Sequence, residues 1–229
     1  MIRTEPFPHI VWDNFLADNV LDTMKKEFPN KDSFVWNWKS NDENSIKYMC
    51  QDKELVKSLP NISTLIDYLN SDYFCDVLSS LFKIPNLVSD KELAGGGLHM
   101  IGNGGFLKVH ADFNQADTMP GYHRRLNLIL YLSDIWHDNF NGNLELWDTN
   151  LTEAKVSIEP IANRMICFNT QPDGDIIAYH GHPKPIKVPN GVYRKSIALY
   201  YYTKEEPNNI LSEKHGTLYM DVKDKELAA

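Results

Sequence analysis

His110 and Asp112 form the only His-x-Asp in this chain. Side chains alternate between the two faces of a strand, so an imidazole and a carboxylate two residues apart point the same way, with Ala111 turned aside. Their Cα atoms would lie about 7 Å apart, near enough for both side chains to reach one metal ion. With a second imidazole they would make a facial triad, the donor set that holds a non-haem Fe(II) and leaves three coordination positions open. One His-x-Asp in a chain with 8 histidines is close to what chance supplies, so the idea stands only if a third ligand, a pocket and a substrate anchor exist elsewhere. The third ligand is expected from a later strand. The stretch IIAYHGHPKPI (176–186) offers His180 and His182, again two residues apart and on one face. His180 is preferred, because it follows an apolar run and the Gly-x-Pro after it marks the strand's exit. His182 is the alternative.

An anchor for a dicarboxylate is available in GVYRKSIALYYYT (191–203). Arg194 and Ser196 share a face there, and Lys195 points away. A guanidinium fork pairs bidentately with a carboxylate, and a neighbouring hydroxyl adds a further bond. In the segment RLNLILYL (125–132), Arg125, Asn127, Ile129 and Tyr131 share one face and Leu126, Leu128, Leu130 and Leu132 the other. A strand with one wholly apolar face and one mixed face is expected to line a cavity. Arg124 is expected to face outward.

These strands need a scaffold. Residues 7–16 read as an extended apolar run. LADNVLDTMKKEFP (16–29) reads as a helix with Asp18 as N-cap, helical spacing of Val20, Leu21 and Met24, and Pro29 as the stop. Residues 31–53 are polar and aromatic, a strand or an ordered loop. Residues 58–82 suggest two short helices, the first capped near Asn61 or Ser63. From about residue 87 the pattern changes to alternation punctuated by Gly, with strands at 87–114, 124–136, 141–148, 155–170 and 194–203. The predicted fold is mainly β with N-terminal helices: a double-stranded β-helix, or jelly roll, of the cupin kind. One domain is expected over 1–229, with helical support over about 1–85, the jelly-roll core over about 87–203, and a peripheral strand or tail over 204–229.

The order HADFN, RRLNLILYLSDIW, NGNLELW, YHGHPKPI and YRKSIALYYYT resembles the prolyl 4-hydroxylase-like branch of the Fe(II)/2-oxoglutarate-dependent dioxygenases, over roughly residues 95–203. The opening PFPHIVWDNFL is also similar to the first segment of single-domain members. The resemblance implies Fe(II) on His110, Asp112 and His180, and 2-oxoglutarate held by Arg194, Tyr131 and Ser196, with Asn127 and Ile129 lining the same site. It implies O2 as oxidant, ascorbate as an auxiliary reductant, and hydroxylation of a peptidyl proline or a small molecule with release of succinate and CO2. Relatives with a small residue at the position of Asp112 can bind halide instead, so the carboxylate favours hydroxylation. Two departures stand out. The family's Tyr-Leu-Asn is Tyr131-Leu132-Ser133 here, and its Gly-Gly is Gly142-Asn143. The interval from His180 to Arg194 is longer than in many relatives, which keeps His182 in consideration.

Other residues have plainer readings. His99, Arg125 and Asn114 are candidates for substrate contact. A structural histidine and a loop cap are the alternative roles for His99 and Asn114. Trp136 and Trp147 are expected in the core. The net charge of −8 argues against nucleic acid as the main partner. Cys50, Cys75 and Cys167, odd in number and without CxxC spacing, fit free thiols in a reducing compartment. No signal peptide and no run of roughly 20 apolar residues is visible, so a cytoplasmic protein with no membrane contact is expected. The competing functions are a non-catalytic cupin-like binding or sensing module with a vestigial metal site, and a zinc hydrolase, for which no general base can be named. Composition does not determine the oligomeric state.

Overall fold

The protein is described by a computed structural model over residues 1–204 and 213–222. Strand β1 (His9–Trp12) leads into helix α1 (Asp18–Glu27), followed by β2 (Trp38–Asn41) and β3 (Ile46–Cys50). Three helices come next: α2 (Lys53–Val56), α3 (Pro60–Leu69) and α4 (Asp72–Phe82). The remaining elements are strands: β4 (Val88–Ser89), β5 (Gly97–Ile101), β6 (Leu107–Ala111), β7 (Tyr122–Tyr131), β8 (Leu144–Trp147), β9 (Ala154–Ile158), β10 (Met165–Asn169), β11 (His180–His182), β12 (Arg194–Lys204) and β13 (Leu218–Tyr219).

The strands form two antiparallel sheets. The larger runs β1-β10-β7-β12-β5-β3-β2, with β4 beside β12, and the smaller runs β13-β6-β11-β8-β9. The jelly-roll reading holds. The alternation in β7 explains the layering: Leu126, Leu128 and Leu130, with Leu132 beyond the strand, pack against Ile62, Leu69 and Leu78 of the helices. The opposite face of the larger sheet meets the smaller one, where Phe7, Tyr131, Leu146, Ile166 and Phe168 form a second cluster. The helices therefore cover one side of a sheet whose other side is free to line a site.

Several local expectations are corrected. Ala17, not Asp18, is the N-cap of α1; Asp18 is its first residue, where its charge favours the helix N-terminus. Helix α3 is capped by neither Asn61 nor Ser63. It begins at Pro60, and the Glu27 carboxylate at the end of α1 accepts from the backbone N–H of Asn61 at 3.2 Å and of Ile62 at 2.6 Å. A cap of this kind is worth about 1 kcal/mol and ties the two helices together. The first 85 residues are also more than helical support, because β1, β2 and β3 belong to the larger sheet. Of the segment 204–229, β13 is a peripheral strand on β6; residues 205–212 and 223–229 lie outside the described residues.

Candidate active site

Strand pairing brings two of the three candidate ligands together. His180 of β11 lies directly opposite His110 of β6, and their rings are 4.4 Å apart. Asp112 follows β6 and reaches the same point. His110 Nε2 is 3.5 Å from Asp112 Oδ1, and His180 Nε2 is 3.4 Å from Asp112 Oδ2. One ligand atom from each of the three residues falls within 4.8 Å of the others. Each imidazole donates Nδ1–H to the carbonyl two residues before it: His110 to Lys108 at 2.8 Å, His180 to Ala178 at 2.9 Å. That bond selects the tautomer with the lone pair on Nε2, facing the shared point. Burial pulls His180 down to about 4, against the pull of Asp112, so its ring is neutral at pH 7. Burial alone would raise the Asp112 carboxyl, but Arg124, His180 and His110 outweigh it and hold it well below the usual carboxylate range. Two buried imidazoles and one carboxylate suit a divalent cation.

His182 is not part of this group. The pairing slips between His180 and His182, so that His182 sits opposite Leu107. Gly181 lies at the slip, where a Cβ would be 2.7 Å from the Lys108 carbonyl oxygen. His182 is nonetheless buried in the same cavity, and among the described residues neither of its ring nitrogens has a hydrogen-bond partner.

Arg124 and Arg125 exchange their expected places. The register of β7 against β12 passes from Leu126↔Tyr201 to Arg124↔Tyr202, which leaves Arg125 as an extra residue. Such a bulge re-aims the side chains beyond it. Arg124, expected outside, is fully buried, with Nη2 2.8 Å from Asp112 Oδ2. Its guanidinium carbon lies 3.4 Å from the centroid of the Tyr200 ring and 4.7 Å from that of Phe113. Arg125, expected beside Asn127, points away from the cavity and reaches Thr203 Oγ1 at 3.4 Å. Asn127 does face the site, and its Nδ2 donates to Asp112 Oδ2 at 3.3 Å.

Arg194 lines the same cavity, whose volume is about 260 Å³. Its Nε donates to the Gly142 carbonyl at 2.9 Å and its Nη2 to the Tyr131 hydroxyl at 3.0 Å. Gly142 has φ +78, a conformation open to glycine, so the departure at Asn143 leaves this contact intact. Among the described residues no carboxylate pairs with Arg194, although it is 4% exposed. A buried, fork-shaped cation without an anion is what a dicarboxylate needs. Ser196 and Ile129 line the cavity beside it, and His99 enters from β5. Asn114 does not. Its Nδ2 donates to the Glu213 carbonyl at 2.8 Å, and its Oδ1 accepts from His215 N–H at 2.9 Å, so it pins the returning C-terminal segment. That segment carries Tyr219, whose ring is 5.7 Å from His110.

Sequence reasoning missed Arg124, Lys47, Met49, Gln51, Tyr200 and Tyr219, all at or beside the cavity. Lys47, Met49 and Gln51 share the period-two face of β3 and its continuation, a signal that was present but lacked a register. Arg124 and Tyr219 depend on a bulge and on a distant return, which leave no local trace.

Residues 96–202 match the family model of the 2OG-Fe(II) oxygenase superfamily. Over those residues the chain is similar to that superfamily. The donor set and the unpaired Arg194 fit the two cofactors of that superfamily, Fe(II) and 2-oxoglutarate. Solved oxygenases share the fold. A Pseudomonas putida prolyl-4-hydroxylase superposes with a TM-score of 0.51 at 15% identity, covering 86% of this chain and 92% of its own. A Trichoplax adhaerens prolyl hydroxylase, solved in complex with a hypoxia inducible factor oxygen degradation domain peptide fragment, gives 0.51 at 18% identity, with 85% and 83% covered. HygX from Streptomyces hygroscopicus, solved with nickel, 2-oxoglutarate and hygromycin B bound, gives 0.51 at 12% identity, with 93% of each chain covered. No curated protein sequence matches the chain. Among the described residues, no helix is long and apolar enough to cross a membrane.

Proposed function

We propose that this oxygenase domain is an active Fe(II)/2-oxoglutarate-dependent hydroxylase. His110, Asp112 and His180 would hold the metal, and Arg194, Tyr131 and Ser196 the far carboxylate of 2-oxoglutarate. The observation that carries the reading is the shared cavity, lined both by the His-Asp-His cluster and by a buried arginine that has no carboxylate partner among the described residues. When bound, Fe(II), 2-oxoglutarate and O2 supply the oxidising chemistry, in which a substrate C–H becomes C–OH and 2-oxoglutarate becomes succinate and CO2.

The protein's own work is to bind and to orient. The Nδ1–H bonds of His110 and His180 fix both rings, so little reorganisation accompanies metal entry. Arg124 and Asn127 hold Asp112 from behind. Arg194 sets the direction in which a dicarboxylate lies, and Tyr131 sets the direction of Arg194. Met49 and Ile129 give the cavity apolar wall, which limits water at the reacting end. The substrate is a peptidyl proline or a small molecule.

Anaerobic addition of Fe(II) and then 2-oxoglutarate is expected to produce a weak visible charge-transfer band. Admission of O2 with a substrate should release succinate. A protein that binds only Zn(II), with no band, would refute the proposal. A band without succinate from any peptide or metabolite pool would point to the binding module instead.

A further inference from the structure

The charges in the cavity do not balance, and the imbalance lies at one residue. Arg124 is paired with Asp112. Arg194 is paired with the far carboxylate of 2-oxoglutarate under the proposed function, and the near carboxylate goes to the metal. Lys47 has no such partner. It projects from β3 into the cavity, on the same face as Met49. Among the described residues no carboxylate lies within ion-pair reach of its Nζ, which stands 5.9 Å from the centroid of the Trp38 ring. With cofactors bound, three side-chain cations and a divalent metal face one aspartate and one dianion, an excess of two positive charges.

Lys47 is not an ordinary surface lysine. Burial pulls it down to about 8, even though Asp112 opposes that shift. Met49 lies opposite His99 in the pairing of β3 with β5, so Lys47, two residues from Met49, sits diagonally from His99 on the same face of the sheet. Lys47 is the charge that acts most strongly on that ring after the effect of burial, and among the described residues His99 Nε2 is buried without a partner. An unpaired ammonium and an unpaired imidazole nitrogen in one cavity wall form a ready anion subsite. The cavity is small, at about 260 Å³, and must also admit 2-oxoglutarate.

We propose that Lys47, with His99 beside it, is the subsite for a carboxylate of the molecule that is oxidised, and that this molecule is a small carboxylic acid rather than an uncharged peptidyl proline. The inference rests on the hydroxylase reading, and the cofactor titration separates the two.

The experiment uses the full-length protein with Fe(II) and saturating 2-oxoglutarate, without O2. The probes are matched pairs of an acid and its primary amide: L-proline and L-prolinamide, L-leucine and L-leucinamide, phenylacetate and phenylacetamide. Binding is read from the shift of the charge-transfer band and by calorimetry. At least one acid is expected to bind, and its amide about tenfold or more weakly, the usual worth of a hydrogen bond to a charged group. Lys47→Met should erase the preference for the acid, and Lys47→Arg should keep most of it. The affinity of Lys47→Met for 2-oxoglutarate should stay within about twofold of the parent, which also reports that the variant is folded.

Three results would overturn the inference: amides binding as tightly as acids, no acid binding at all, or a loss of 2-oxoglutarate affinity in Lys47→Met comparable to that of an Arg194 variant. The last would assign Lys47 to the co-substrate. If the parent protein gives no band with Fe(II) and 2-oxoglutarate, the hydroxylase reading itself has failed and the inference falls with it.

Discussion

Replacing Arg124 with Met tests the electrostatics of the site directly. Arg124 is fully buried, and its Nη2 lies 2.8 Å from Asp112 Oδ2, while the Asp112 side chain is 10% exposed. None of the guanidinium nitrogens has a well-aligned acceptor among the described residues, so the pair is held by charge and by stacking on Tyr200 and Phe113. Methionine keeps much of the stem and removes the charge. The carboxylate is then left with only Asn127 and the two imidazoles for company, of which His180 is held neutral by burial. Breaking a buried pair from one side costs about 3–5 kcal/mol, most of it the penalty of the orphaned charge. For a chain of this length that corresponds to a fall of about 6–20 °C in melting temperature of the metal-free protein. Asp112→Asn should be destabilising too, because it strands the arginine. The double variant should cost well under the sum of the two, since both orphans disappear together. A divalent cation supplies the missing counter-charge, so Ni(II) should raise the melting temperature of Arg124→Met by more than it raises the parent's. Differential scanning fluorimetry with and without Ni(II) reads all four proteins. A shift of under about 2 °C for Arg124→Met, or strict additivity in the double variant, would refute the coupling.

Arg194→Gln should weaken 2-oxoglutarate binding by about 10–100-fold while leaving Fe(II) affinity near the parent's, as anaerobic titration would show; equal affinities would remove Arg194 from the anchor role. His180→Ala should abolish the charge-transfer band, whereas His182→Ala should retain it, and the reverse pattern would make His182 the distal ligand. The metal-free protein should lose stability as pH falls from about 6.5 to about 4: the ring of His180 is held neutral by burial, so the unfolded chain takes up a proton that the folded chain refuses. The loss from this group approaches ~3 kcal/mol below pH 4. Urea midpoints that stay flat across that window would contradict the neutral, buried ring. Gly181→Ala should lower metal affinity more than global stability, because a Cβ there collides with the Lys108 carbonyl at the slip that sets His180 against His110; melting and Fe(II) titration together distinguish this from general unfolding.

Much of the molecule was legible before any coordinates. The apolar stripe of Leu126, Leu128 and Leu130 predicted a sheet face packed on helices, and it packs there. His110 and Asp112 were read as one face of one strand; β6 ends at Ala111, but Asp112 just beyond it still converges on the same point as His110. Tyr131 and Arg194 were placed in one anchor, and their side chains touch. What failed was the fine placement of helix ends and whatever depended on another element. Asp18 looked like a cap because its type suits the position, but Ala17 precedes the first helical residue, and α3 takes its cap from Glu27 of another helix. Arg125 followed the period of two faithfully and was misplaced by a bulge.

The division follows from the range of the forces involved. Alternation along a strand is a property of a few consecutive residues, so the chain alone determined which side chains could share a face, and hence that an imidazole, a carboxylate and a guanidinium were available on strands in a fixed order. Pairing register belongs to two strands at once, and a bulge is a mismatch between them that neither sequence displays. The tertiary structure therefore decided that His180 rather than His182 meets His110, that Arg124 rather than Arg125 backs Asp112, that Lys47 faces the cavity, and that the C-terminal segment returns to lay Tyr219 against His110.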